Sequence, residues 1–114
     1  MTNCIADRAQ IIPGSKCQFT LFLLDEQGRP LSLTPYASGN LVFCNTLGVR
    51  TVIPLTIPGA NPDKGEVSVN LTSVQTANAD SKWKNADIEL VEGADTIVRP
   101  INDKFEIIPR NCPA

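Results

Sequence analysis

Residues 17–24 form a long, mainly apolar run whose side chains divide between two faces, and this pattern predicts the strand around which the rest of the chain packs. One face of that strand carries Phe19, Leu21 and Leu23. Phe22 and Leu24 lie on the other face, so the second half of the strand is apolar on both sides. Leaving these two side chains in water would forgo about 1.5–3 kcal/mol each. We therefore expect a loop, the chain ends or another subunit to cover them.

A polar turn follows this strand, because Asp25, Gly28 and Pro30 each favour a reversal of the chain. A single helical turn is expected at 74–77, within a polar crossover. The segment at 7–12 is interpreted as either a short first strand or an extended arm. Similar alternation, bounded by turn residues, predicts the remaining strands at 40–45, 49–56, 66–71, 85–91, 96–99 and 104–108.

The segment predicted at 49–56 contains Pro54, and Pro58 and Pro62 follow at the same four-residue spacing. Each proline lacks the backbone N–H that a helix or a central strand would use. The segment is therefore predicted to be an edge strand that runs into a loop.

The pattern as a whole predicts an all-β fold, a sandwich of about seven or eight antiparallel strands in a single domain over residues 1–114. Residues 1–15 would form an N-terminal arm and 109–114 a C-terminal tail. A chain of 114 residues is long enough for one core. A closed barrel is the main alternative. The residues expected in the core are Phe19, Leu21, Leu23, Val67, Val69, Leu71, Ile88, Leu90, Phe105 and Ile107.

Charge and hydropathy argue against nucleic acid and membranes as partners. The net charge is −2, and the ten Lys and Arg residues are scattered rather than clustered. Binding to nucleic acid through counterion release needs several basic groups on one surface. No apolar run approaches the eighteen or so residues of a membrane helix, and the first residues lack the pattern of a signal peptide. We expect neither nucleic-acid binding nor membrane insertion.

The four cysteines are spaced too widely for the paired ligands of a zinc site, and the chain contains no histidine. No metal or other cofactor is therefore expected. Cys17 and Cys44 are predicted to be buried thiols. In an oxidising environment, Cys4 and Cys112 could form a disulfide, since the ends of a domain often lie close together.

Catalysis has little support in these residues. Without histidine there is no Ser-His-Asp or Cys-His site, and no phosphate-binding loop is present. Asp25 with Glu26 and Asp87 with Glu89 are the candidate carboxylate pairs for acid-base hydrolysis. The first pair lies in a turn and the second on the solvent face of a strand, where carboxylates are usually only solvated. We expect a protein that is not an enzyme.

Six segments in order carry a resemblance to a known family, and together they cover about residues 16–108. They are Phe19-Thr-Leu-Phe-Leu-Leu-Asp-Glu-Gln-Gly-Arg-Pro-Leu-Ser-Leu33, Leu41-Val-Phe43, Pro62-Asp-Lys-Gly-Glu-Val67, Val74-Gln-Thr76, Ala86-Asp-Ile-Glu-Leu90 and Lys104-Phe-Glu-Ile107. In this order they resemble the immunoglobulin-like N-terminal domain of phage upper baseplate proteins and related tail modules. The four cysteines and the lack of a following receptor-binding module depart from that family.

The resemblance implies an immunoglobulin-like sandwich that attaches fibre or receptor-binding modules to a tail or baseplate without catalysis. The expected location is then the virion, assembled in the host cytoplasm. The expected partners are other virion or tail proteins, or further copies of the chain. A neck, adaptor or head decoration protein is equally compatible.

The alternative function is an adhesion or carbohydrate-binding module of a secreted or envelope system. Sugar sites usually present several exposed aromatic side chains, and only Trp83 and Tyr36 are candidates here.

Interface candidates come from the proline-containing edge and from one loop. Unpaired backbone groups along an edge strand can pair with another chain, although its prolines can instead protect that edge from aggregation. Trp83 lies between two lysines in a polar segment and is a candidate anchor, because Trp is enriched among residues that dominate interface energy. Its structural alternative is a lid over one end of the core. The edge candidates are Arg50, Val52, Pro54 and Ile57.

Overall fold

The computed structural model describes residues 9–57, 62–109 and 111. Within these ranges the chain is built mainly of strands, which confirms the predicted all-β class. The strands are β1 (Ala9–Ile11), β2 (Cys17–Phe22), β3 (Ser38–Cys44), β4 (Arg50–Leu55), β5 (Glu66–Leu71), β6 (Ala86–Glu92), β7 (Asp95–Ile101) and β8 (Phe105–Ile107). The helical segments are α1 (Ser73–Thr76) and two 3₁₀ turns, Pro62–Lys64 and Ser81–Lys84.

One layer of the sandwich is an antiparallel four-stranded sheet in the order β4-β3-β6-β7. Leu41 of β3 lies opposite Ile53 of β4 on one side and Ile88 of β6 on the other, and all three side chains are buried. The two outer strands each contain a proline, Pro54 in β4 and Pro100 in β7. The prediction that the proline-containing segment is an edge strand is confirmed for β4.

The opposing side of the core is formed by two strand pairs. β2 pairs with β5 in antiparallel register, so that Phe19 lies opposite Val69. β1 pairs with β8, and this pair is parallel, with Ile11 opposite Ile107. The expectation of a purely antiparallel sandwich is therefore wrong for this pair. Within the segment predicted as an arm at 1–15, residues Ala9–Ile11 form the short strand of the alternative interpretation, and Ile11 is fully buried in the core.

Aromatic side chains link the layers. The ring of Phe43 in β3 stacks on Trp83 with 4.1 Å between centroids, and it meets the edge of Phe105 at 5.1 Å. Phe105 in turn packs against Phe19 of β2 at 5.5 Å. Eight of the ten predicted core residues are buried, while Leu21 and Ile107 are half-buried against the same core. Both lie near the end of a strand in a two-stranded sheet, where fewer neighbours cover them.

Two further expectations are corrected. Phe22 and Leu24 are not covered by any described part of the chain and remain exposed. Cys17 and Cys44 are half-buried rather than buried. Cys17 sits near the end of the β2-β5 pair, and Cys44 points away from the core on the outer face of β3. Cys4 and Cys112 lie outside the described residues, so their disulfide stays a prediction.

Candidate functional site

Trp83 lies in the core rather than on the surface. It belongs to the 3₁₀ turn Ser81–Lys84, which is capped by Asp80, whose carboxylate accepts a hydrogen bond from the Lys82 N–H. That turn directs the indole inward onto Phe43, where it is fully buried. A buried side chain cannot anchor a partner in this conformation. The structure therefore places Trp83 in its alternative role, as a lid over one end of the core.

The edge candidates of β4 divide between two faces. Arg50, Val52 and Pro54 alternate outward and are exposed, whereas Ile57, just beyond the strand, is buried in the core. The Arg50 guanidinium reaches across β3 to Glu89 of β6, with 2.9 Å between Nη2 and Oε2. This ion pair spans the outward residue Val42, which is buried although it is not part of the core cluster. The outer face of the four-stranded sheet is thus partly covered by side chains of the sheet itself.

A second surface lies where β2 ends. Phe22 is 63% exposed and Leu24 is 52% exposed, and Leu24 forms an isolated antiparallel bridge with the exposed Pro30. We call these three residues the Phe22 patch. They share the outward face, because Phe22 and Leu24 are two residues apart along an extended segment.

The backbone beneath the Phe22 patch is held on both sides. The Leu23 N–H donates to the Gly65 carbonyl at 2.8 Å, and the Leu31 N–H donates to the Leu23 carbonyl at 2.9 Å. The Arg99 guanidinium of β7 donates to the Leu24 carbonyl at 3.1 Å. The patch is therefore an exposed apolar surface on a fixed backbone.

The turn after the patch is organised by Asp25. Its Oδ1 accepts the N–H groups of Gln27 and Arg29 at 2.9 Å each, and Gly28 adopts φ +81° within the turn. The hydrogen bond from the Arg29 N–H is the largest cause that holds the pKa of Asp25 below its ordinary value of 3.8. A carboxylate engaged in this way stabilises a turn and is a poor general acid.

The opposite end of the sandwich presents three connections tied to one another. Asn45 accepts the N–H groups of Leu47 and Val49 at its Oδ1, and its Nδ2 donates to the Asn78 carbonyl at 3.1 Å. The connection at 12–16 joins them through Thr76, whose buried hydroxyl donates to the Ser15 carbonyl at 2.8 Å.

Asp80 adds the strongest polar link at this end. Its Oδ2 accepts the Thr46 N–H at 2.9 Å and the Thr46 hydroxyl at 2.7 Å. The bond from the Thr46 side chain is the main cause that lowers the pKa of Asp80 below 3.8. The β3-β4 hairpin tip is therefore fixed to the crossover between β5 and β6.

Two side chains project from this fixed set of loops. Leu47 at the hairpin tip is 85% exposed, and Val74 on α1 is 80% exposed. We call the connections at 12–16, 45–49 and 72–85 the Leu47 platform. The sequence analysis missed both residues. The available signal was a single apolar residue inside each of two otherwise polar turns, Thr46-Leu47-Gly48 and Ser73-Val74-Gln75. Such a turn offers no neighbouring apolar side chain for that residue to pack against.

In each candidate acid-base pair, one carboxylate is engaged by other groups of the fold. Asp25 accepts hydrogen bonds within its own turn, and Glu89 forms an ion pair with Arg50. In the described ranges, no group of three or more His, Cys, Asp or Glu side chains is arranged to hold a metal ion. The described residues also include no helix that is long and apolar enough to cross a membrane.

Comparison with known proteins assigns no family to the chain. No family model matches the sequence, and no curated protein matches it.

Proposed function

We propose that this chain is a non-catalytic structural subunit of a phage or phage-like particle, part of a baseplate, tail, neck or head decoration, and that it acts through protein-protein contacts. The proposal includes an immunoglobulin-like arrangement of the sandwich and a location in the virion. Its partners are other virion proteins or further copies of the chain.

The observation that carries the protein-contact part of the proposal is the Phe22 patch. Two large apolar side chains, Phe22 and Leu24, lie in water at the end of a strand whose backbone is held by Gly65, Leu31 and Arg99. An apolar cluster that does not collapse into its own core is typical of an interaction site. Because the backbone is already ordered, a partner would bind without a large ordering cost.

The particle part of the proposal is supported by the order of motifs quoted from the sequence. The longest of the quoted segments, the strand and its acidic Gly-Pro turn, is the one that builds the Phe22 patch. The resemblance and the exposed surface thus fall on the same part of the molecule.

The carbohydrate-binding alternative is less well supported by the aromatic residues. Trp83 is fully buried, and Tyr36 is half-buried against the core. A sugar-binding surface would need several exposed aromatic faces. Among the aromatic residues that the structure describes, Phe22 is the exposed one.

The test is incorporation of the chain into particles from a producing cell. Particles purified from cells expressing the wild-type chain should contain it, and Phe22→Ser should reduce its amount at least tenfold. The melting temperature of the isolated Phe22→Ser variant should stay within a few degrees of wild type, because the side chain packs little against the core.

Val98→Ser is the matched control. Val98 is 52% exposed on the outer face of β7, opposite Glu89, whereas its neighbour Arg99 is the residue that contacts the Leu24 carbonyl. Val98→Ser should leave incorporation unchanged. Absence of the wild-type chain from all purified particles would overturn the proposal. Incorporation of Phe22→Ser at the wild-type level would show that the Phe22 patch is not the contact surface.

A further inference from the structure

In the two antiparallel sheets the strand directions place the connections at two opposite ends, and hydrogen bonds from Thr76 to Ser15 and from Asp103 to Asn85 assign residues 12–16 and 102–104 to one of them. The crossover end holds the Leu47 platform together with residues 102–104, where the Asp103 N–H donates to Asn85 Oδ1 at 2.8 Å. The turn end holds the described residues 23–37, 56–57 and 62–65 and the four-residue turn 92–95. The register places these two sets at opposite ends of the sheet, since Ser38 pairs with Val91 and Val42 pairs with Asp87.

The two ends carry opposite charge. Four basic residues stand against two acidic ones in the connections of the crossover end, whereas five acidic residues stand against two basic ones at the turn end. At the crossover end these are Lys16, Lys82, Lys84 and Lys104, with Asp80 and Asp103. At the turn end they are Asp25, Glu26, Asp63, Glu92 and Asp95, with Arg29 and Lys64. The chain is nearly neutral as a whole but strongly asymmetric along its length.

Each end also presents apolar side chains within its charged surroundings. Leu47 and Val74 project from the basic crossover end, and the Phe22 patch lies at the acidic turn end. Apolar contact supplies affinity in a protein interface, and complementary charge around it sets orientation and rejects the wrong pairing. Two basic ends would repel each other, as would two acidic ends. A basic end facing an acidic end combines apolar contact with attraction between opposite charges.

We propose that the partner of the Phe22 patch is the Leu47 platform of a second copy of this chain, so that copies associate head to tail. This inference deepens the proposed function, on which it rests for its biological setting. The contact is heterologous, meaning that it joins two different surfaces. A pair of copies therefore still has one open surface of each kind, and the contact generates rings or filaments rather than closed dimers.

The size of an end face indicates a weak contact. The molecule measures 44 × 29 × 22 Å. The longest dimension fits strands of seven residues, about 23 Å long, extended by loops at both ends. The two shorter dimensions then bound an end face of about 600 Å², or about 1,200 Å² buried in total by two copies, the lower limit of the usual range for specific interfaces. Association should need high concentration and low salt.

Sedimentation velocity of the full chain tests self-association directly. At about 10 mM salt, where charge acts over about 30 Å, the average mass should rise above the monomer mass of 12.3 kDa with concentration up to about 1 mM. At about 1 M salt, where charge acts over only about 3 Å, it should return toward the monomer. A wild-type chain that remains monomeric throughout at low salt would overturn the proposal.

Two variants each disable one surface. Leu47→Asp places a carboxylate at the tip of the crossover end, in a turn position that accepts Asp. Phe22→Lys places a cation at the turn end, opposite Glu66 across the β2-β5 pair, a cross-strand arrangement that a sheet tolerates. Each variant alone should be monomeric. Val98→Asp and Val98→Lys make the same charge changes on the side of the molecule and should associate as the wild type does.

An equimolar mixture of the two disabled variants gives the decisive result. Leu47→Asp keeps its turn end and Phe22→Lys keeps its crossover end, so the mixture should form a heterodimer of twice the monomer mass and nothing larger. A contact between identical surfaces would give no such complementation. A mixture that stays monomeric, or either single variant associating like the wild type, would overturn the head-to-tail arrangement.

The same variants separate this inference from the proposed function. If the wild-type chain enters particles but neither self-associates nor shows complementation, the head-to-tail contact is wrong and the structural role stands. If the chain self-associates as described but is absent from all particles, the head-to-tail contact stands and the proposed function is wrong.

Discussion

Gly65 is the residue at which backbone segments of the turn end approach most closely. Its carbonyl accepts the Leu23 N–H, and its φ is +64°. A Cβ at this position would meet the backbone of Leu23 and Leu31, neither of which can rotate away as a side chain could. Glycine is therefore required here by conformation and by space together.

Gly65→Ala should destabilise the fold more than Gly93→Ala. Gly93 has φ +61°, but a Cβ there would meet nothing within 4 Å. The control thus carries only the conformational cost of about 1–2 kcal/mol. Gly65→Ala adds the clash and should lose about 3 kcal/mol or more in urea denaturation. Equal losses of unfolding free energy for the two variants would show that the backbone at Leu23 moves enough to relieve the clash.

Asp80 makes the stability of the crossover end depend on pH. The Thr46 hydroxyl lowers the pKa of Asp80, so the folded state holds the ionised form more strongly than the unfolded state does. The stabilisation is therefore present above the unfolded pKa near 3.8 and is lost as the pH falls through the lower folded pKa. The difference in melting temperature between wild type and Asp80→Asn should be largest at neutral pH and shrink below pH 3.8.

Thr46→Val provides the control for this assignment. It removes the hydroxyl donor and leaves the Thr46 backbone N–H bond to Asp80 in place. The carboxyl titration of Asp80, followed by NMR, should then move up toward its ordinary value. An unchanged titration midpoint would assign the lowered pKa of Asp80 to the backbone donors instead.

Among the short elements, the 3₁₀ turn Ser81–Lys84 contributes most to the core, because it delivers Trp83 onto Phe43. Trp83→Ala should cost about 3–5 kcal/mol through loss of a fully buried aromatic side chain. Trp83→Phe keeps a ring for the stack and removes an indole N–H that has no acceptor among the described residues. It should cost only about 1–2 kcal/mol, since a buried unpaired donor is itself unfavourable.

Thermal and chemical denaturation of the two Trp83 variants distinguish these contributions. A loss for Trp83→Phe as large as that for Trp83→Ala would show that the indole N–H has a partner and that its bond matters. A small loss for both would contradict the placement of this turn against the core.

At the scale of the whole molecule, the prolines of the two edge strands limit how copies can associate. Pro54 and Pro100 each remove one backbone donor from an outer strand of the four-stranded sheet. The double variant Pro54→Val, Pro100→Val restores both donors with a residue that favours strands. It should increase aggregation and thioflavin fluorescence several-fold at raised temperature. Soluble behaviour equal to wild type would show that other features protect the edges.

Much of the fold follows from local pattern. β5 was predicted at 66–71, where the structure has it, because Val67, Val69 and Leu71 alternate with polar residues without interruption. The edge position of β4 followed from Pro54, since a missing donor is a property of the residue alone. In each case the signal and its physical cause lie within a few neighbouring residues.

The candidate surfaces were less accessible to sequence reasoning. Phe22 and Leu24 have the same apolar chemistry as Phe19 and Leu23, and nothing local indicates which apolar face finds a second layer. Val74 and Leu47 are single apolar residues in polar turns, and only tertiary contacts such as that of Thr46 with Asp80 show that the two turns lie at the same end. Trp83 shows the converse, since its polar neighbours Lys82 and Lys84 suggested a surface residue.

What the sequence determined by itself is therefore the class of fold, most strand positions and one sheet edge, because backbone propensity, two-residue periodicity and proline act locally. The tertiary structure decided which faces are covered, the parallel pairing of β1 with β8, and the burial of Trp83. These depend on contacts between residues far apart in the chain, such as Ile11 with Ile107. The grouping of charges into a basic and an acidic end has the same cause, since only the strand register brings Lys16 to the end that holds Lys82.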